Sequence, residues 1–174
     1  MRIGGGSIVQ VQAGGAPLSA SGFAAADILN ALGRGQVYGG TIAGTAGAGN
    51  KAIAEINNPN ASGKTLFVYE LEIWVPTAML VQLVFDGTTL APAGVPVNLL
   101  VGNATASIAK IGGGNQLTPT GTLVKNLPSL VANTAYTFPE GWIFAIPPNH
   151  NVQFVGQTVN QAMTVNFSHV EWAS

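Results

Sequence analysis

The segment KTLFVYELEIWV (64–75) is a long run of β-branched, aromatic and other apolar residues interrupted by Glu70 and Glu72, the pattern of a long strand. Successive side chains of a strand point to opposite faces, so Phe67, Tyr69, Leu71, Ile73 and Val75 share one side and Glu70 and Glu72 the other. Pro76, which has no amide hydrogen for a ladder, ends the strand. KAIAEIN (51–57) alternates, with Ile53 and Glu55 opposed to Ala52, Ala54 and Ile56. MLVQLVF (79–85) is a third strand, closed by the Asp86-Gly87 turn signal. Weaker strands are expected over 95–101, 104–111 and 122–125. Between and after them, GGGNQLTPT (112–120) and KNLPSLVANTAYTFPEG (125–141) read as loops. The end of the chain predicts strands over 142–146, 151–156 and 162–172, with Pro147-Pro148-Asn149-His150 as a corner. In the last of these Met163, Val165 and Phe167 share a face, then Val170 and Trp172 take the other parity. Such a slip predicts a bulge near Ser168.

Short strands separated by turn signals, with one weak helix, predict an all-β fold: an antiparallel β-sandwich, jelly-roll-like, over 51–174. Residues 1–50 differ. Nearly half are Gly or Ala, and only Arg2, Asp27 and Arg34 are charged, so this stretch reads as an arm without a core of its own. One short helix is expected within it, at about 21–33. Ser21 caps it, Phe23, Ile28, Leu29 and Leu32 lie on or near one face, and Gly33 or Gly35 closes it. Two readings follow for the arm: a solvated tail with a fraying helix, or a segment that orders on a neighbouring subunit, where its apolar face is covered.

Composition sharpens the second reading. Charged residues make up 7 % of the chain and mean hydropathy is +0.36, against about 25 % charged residues in an average soluble domain. Such a surface belongs in a membrane or against copies and partners. No run of about 20 apolar residues exists, because Glu70, Glu72 and Pro76 interrupt the most apolar stretch. The opening MRIGGGSIVQVQAGG also lacks the pattern of a signal peptide. A homo-oligomeric assembly subunit, a trimer among the options, is the expectation. A net charge of −1 with scattered Lys and Arg argues against a nucleic-acid partner. The absence of cysteine removes disulfides, thiolate nucleophiles and sulfur-ligated zinc.

Candidate chemistry is sparse. Gly63-Lys64-Thr65 ends like a phosphate loop. A P-loop, however, needs a glycine where Asn58 stands, a free amide where Pro59 stands and a helix where a strand follows. Asn58 to Gly63 therefore reads as a hairpin loop. His150 reads as a polar turn residue and His169 as a packed or hydrogen-bonded strand residue. Glu70 and Glu72 are neighbours on one strand, not carboxylates facing across a cleft as glycoside hydrolysis requires. No catalytic set, cofactor or metal site is expected. Trp74, Trp142 and Trp172, with Tyr69 and Tyr136, read as packing or interface anchors before they read as a sugar platform. The candidate interface residues are Phe23, Ile28, Leu29, Leu32, Trp74, Trp142 and Trp172.

INNPNASGKTLFVYELEIWV, LPSLVANTAYTFPEGWIFAIPPNHNVQFVGQT and the closing MTVNFSHVEW resemble segments of small structural proteins of tailed bacteriophages. The resemblance covers about residues 51–174. It implies a jelly-roll decoration (cement) protein on the capsid exterior, or a related head or tail fitting, made in the host cytoplasm. Its partners would be further copies and the major capsid protein, gripped by the terminal arm. The alternative is a glycan- or receptor-binding head of a fibre, using exposed aromatics and the 112–120 loop.

Overall fold

The computed structural model describes residues 25–138 and 144–173. One helix, α1 (Ala25–Gly33), precedes eleven strands. They are β1 (Val37–Gly44), β2 (Lys51–Asn58), β3 (Lys64–Val75), β4 (Val81–Phe85), β5 (Val97–Asn98) and β6 (Lys110–Gln116), then β7 (Thr122–Asn126), β8 (Thr134–Thr137), β9 (Phe144–Ile146), β10 (His150–Val159) and β11 (Met163–Ala173). Sheet one has the order β5-β1-β11-β3-β8, with β9 also on β3, and sheet two has β6-β2-β10-β4-β7. Every pairing between these strands is antiparallel. The chain passes from one sheet to the other at every connection between strands except β6–β7 and β8–β9. This is the expected sandwich, wound in jelly-roll fashion.

The core lies between the sheets. Leu66, Ile73, Ile56 and Phe154 are fully buried there, with Val81, Leu83, Met163, Val165 and Phe167. Burying each such side chain contributes roughly 1.5–3 kcal/mol.

Several expectations are corrected. Asn58 to Gly63 is an arch between sheets rather than a hairpin, since β2 and β3 belong to different sheets. Asn58 secures it by donating to the carbonyls of Lys64 at 2.7 Å and Ile146 at 2.8 Å. In β3, Leu71, Ile73 and Val75 face the core as expected, but Leu66 and Val68 replace Phe67 and Tyr69 there. The cause is a register shift: Ser168 pairs with Glu70 and His169 with Val68, leaving Tyr69 as an extra residue. The irregularity falls at Ser168, but β3 carries the inserted residue. Residues 134–137, expected in a loop, pair as β8 with β3.

Residues 37–44, expected in the arm, form a strand of the sandwich. β1 pairs with β11 over eight positions, from Val37 with Val170 to Gly44 with Met163. α1 lies on the outside of the same sheet, where Ala31 and Leu32 pack over Val37, Val170, Tyr69 and Trp172. Gly35 ends it in the left-handed region at φ 66°. There Gln36 N–H donates to the Ala31 carbonyl and Gly35 N–H to that of Leu32, each at 2.9 Å, a Schellman closure. The short β5 falls within 95–101.

The GGGNQ segment expected as a loop is strand β6, which pairs with β2 from Lys51–Gln116 to Asn57–Lys110. Its glycines are there for closeness. β1 crosses to meet β6, Thr45 N–H donates to the Gly114 carbonyl at 3.1 Å, and the Ala43 carbonyl occupies the place a Cβ on Gly113 would take. A Cβ on Gly114 would meet Leu90 at an ordinary 3.7 Å. Gly113→Ala is therefore expected to cost about 2 kcal/mol or more in denaturant unfolding, and Gly114→Ala to stay within about 0.5 kcal/mol of the parent. Equal costs would contradict this closure.

Candidate functional site

Among the described residues, two of the expected interface residues, Leu32 and Trp172, come together in one cluster. Phe23 and Trp142 lie outside the described residues. Leu32 and Trp172 are half-buried between α1 and sheet one, with Trp172 against Phe67 at a ring distance of 5.4 Å. Ile28 is half-buried, whereas Leu29 points away, 66 % exposed. Trp74 stands on the outer face of sheet one, on the same side as Glu70 and Glu72. Tyr136 packs on the core edge-on to Phe138. Of the proposed aromatic platform, only Trp74 is clearly open to solvent among the described residues.

Glu70 and Glu72 accept from Ser168 Oγ at 2.8 Å and Asn166 Nδ2 at 3.0 Å, and Thr41 Oγ1 donates to Asn166 Oδ1 at 2.8 Å. They form a polar row beside a cavity of about 510 Å³ bordered by Val95 and Val97. The two carboxylates project side by side, so they do not face each other as an acid–base pair.

A buried polar cluster closes one end of β11. Glu171 is fully buried. Its Oε1 accepts from Ser107 Oγ at 2.6 Å and Ile108 N–H at 2.8 Å, and its Oε2 pairs with Lys64 Nζ at 2.9 Å. His169 Nε2 lies 3.3 Å from Ser107 Oγ and 3.5 Å from Glu171 Oε1, with its ring stacked between Tyr38 and Phe167. A nucleophilic triad needs serine and carboxylate on opposite imidazole nitrogens. Here both address Nε2, and Nδ1 has no partner among the described residues. The cluster instead fastens 107–109 to β11 by charge-assisted hydrogen bonds.

A second polar seam lies outside sheet two. Gln153 Nε2 donates to Glu55 Oε2 at 2.6 Å and to the Thr88 carbonyl at 2.9 Å, and Leu90 N–H approaches both Glu55 oxygens. Leu90 plugs the outer cluster of Ile53, Val84 and Val155, so the chain after β4 is held flat on the sheet. Where that chain begins, exposed Asp86 Oδ1 lies 2.9 Å from His150 Nδ1. Around this pair Asn57, Asn60, Asn149, Asn151 and Thr89 line a cavity of about 310 Å³. His150 is thus the first residue of β10, bound to Asp86, and His169 is the packed strand residue expected. Among the described residues no three His, Asp or Glu gather as a metal set. Both seams escape a reading of the sequence, because their partners are 35 to 107 residues apart; the local signals are Gln153 within the apolar run of β10 and, in β11, the polar His169 and Glu171 at interior parity.

No protein-family model, curated protein or solved structure matches the chain.

The two buried glutamates have opposite pH signatures. Burial pulls the Glu171 carboxyl upward, but hydrogen bonds from His169, Ser107, Lys64 and Ile108 N–H outweigh it and bring it from 4.5 to about 2. Burial raises Glu55 against the bonds from Gln153, Leu90 N–H and Asn57. Glu171 therefore contributes stability fully present above 4.5 and lost as pH falls towards about 2. Its contribution is on the order of 3 kcal/mol. Glu55 contributes below 4.5 and loses that contribution as pH rises through its raised value. Glu171→Gln is expected to unfold about 2–3 kcal/mol more easily at pH 7, with the deficit closing towards about pH 2. Glu55→Gln should be neutral or stabilising at pH 7. Chemical denaturation across pH measures both, and a pH-independent Glu171→Gln deficit would contradict the assignment.

Proposed function

We propose that this chain is a non-enzymatic virion structural subunit, a capsid decoration (cement) protein that closes into a homo-oligomer and bridges capsid subunits. The observation that carries the reading is a pair of apolar rims on opposite edges of the sandwich. One follows β5, where Val95, Val97, Leu99 and Val101 are exposed. The other follows β7 and β8, where Leu123, Val124 and Val131 are exposed, with Val131 at 67 %. All five residues of β7 are exposed, and among the described residues no strand lies beyond it in its sheet. A lone edge of this kind invites pairing with another chain.

Different rims on opposite edges favour a head-to-tail contact, which generates a closed ring when the rotation closes. A ring multiplies weak contacts to the capsid lattice by avidity. The low charge of the chain and the resemblance of its strand-and-corner segments to phage structural proteins support the same reading.

The parent protein is expected to be oligomeric by light scattering and to co-sediment with expanded empty heads of its cognate phage. Val97→Lys and Leu123→Lys, from opposite rims, should each give monomers and weaken head binding at least tenfold. Mixed together they should form a dimer through the one intact rim on each. A monomeric parent without affinity for heads would overturn the reading, and failure of the mixture to associate would overturn the head-to-tail contact.

A further inference from the structure

The Asn-rich corner where β2, β4 and β10 end is used by nothing described above. It adjoins a second cavity of about 230 Å³, and the two share Asn57 and Thr89. The first is polar, with Asp86, His150, Asn60 and Asn149 at its rim. The second is apolar, walled by Pro59, Leu90, Pro92 and Ile111. Together they make a furrow with an amide-lined half and a greasy half. At 310 Å³ the polar half alone reaches the small end of ligand sites, about 300–1,000 Å³.

We propose that this furrow binds a neutral saccharide of two or three units. Asn151 on its floor is buried. Its Nδ2 donates to the Gly87 carbonyl at 2.8 Å and to Thr89 Oγ1 at 3.2 Å, while its Oδ1 has no partner among the described residues. That oxygen is closed off from solvent, so Asn151 fixes the floor and the groups at the rim make the contacts. His150 engages only one Asp86 oxygen, which leaves the other to accept from adjacent hydroxyls. The planar amides of Asn57, Asn60 and Asn149 offer donors and acceptors side by side, and the proline-leucine wall suits the C–H face of a sugar ring. The corner is also held in shape: Asp86 at φ 55° and Asn149 at φ 66° occupy the left-handed region. The rim carboxylate disfavours phosphates, since Lys110 is the single cation lining the furrow and lies at its apolar end. A hard cation would find one carboxylate in the polar half, already bound to histidine.

This inference does not depend on the assembly reading. Its test is saturation-transfer NMR on the full chain with maltotriose, lactose and diacetylchitobiose, extended by a glycan array. At least one saccharide is expected to bind. Asp86→Asn, which tolerates the same backbone, should weaken it at least tenfold, and Pro92→Trp, which fills the apolar half, should abolish it. Unchanged thermal unfolding of either variant shows that the fold is intact, and Val97→Lys should bind as the parent does. Absence of any saccharide binding, binding of peptides in place of sugars, binding unaffected by both furrow variants, or loss of binding in Val97→Lys would each overturn the assignment.

Discussion

β11 is the strand on which the rest depends, because it must be buried on one face at its start and on both faces at its end. It lies between β1 and β3. Met163, Val165 and Phe167 fill the core, while Thr164 and Asn166 keep the outer face polar. Beyond Ser168 the outer face turns apolar with Val170 and Trp172, and the inner face carries His169 and Glu171. Two devices follow from that reversal. Outside, α1 covers Val170 and leads through its Schellman turn into β1, which lies against β11. Inside, Ser107, Ile108 and Lys64 converge to satisfy the buried carboxylate. An unsatisfied charge there would cost several kcal/mol, so the long excursion between β4 and β7 is tied to the end of the chain.

The same economy explains the composition. Two of the seven acidic residues, Glu55 and Glu171, lie inside as hydrogen-bond hubs that hold irregular segments onto the sheets. With the charges so placed, the edges along β5 and along β7 and β8 are left apolar. A solitary soluble sandwich protects its edges with charge, proline or bulges. Here β7 carries one lysine among apolar neighbours, and the account assigns those edges to other copies of the chain.

Strand periodicity makes β2, β3, β4, β10 and β11 legible, since each alternates a core-facing apolar row with a different outer row. It failed where the core role falls to residues that do not look apolar. β6 carries Gly112, Gly113 and Gly114 after Lys110 and Ile111; they read as loop by composition, but Gly113 is needed for the close approach to Ala43. β1 is read as arm because Gly39, Gly40 and Gly44 dilute its pattern. The parity slip at Ser168 pointed to the right place, yet the extra residue is Tyr69 on the partner strand, which one strand's pattern cannot reveal. The Asn-rich corner is divided along the chain between residues 57–60 and 149–151. Only the crossing of the chain between sheets brings them together beside Asp86.

Hydrogen exchange read by mass spectrometry as a function of protein concentration addresses the central claim most directly, because it reports both edges at once. The account predicts that amides of 97–98 and 122–126 become protected together as concentration rises through assembly, while the exchange of β10 and β11 stays unchanged. Exchange at both edges that is fast and independent of concentration, or protection confined to one of them, would contradict the head-to-tail assembly.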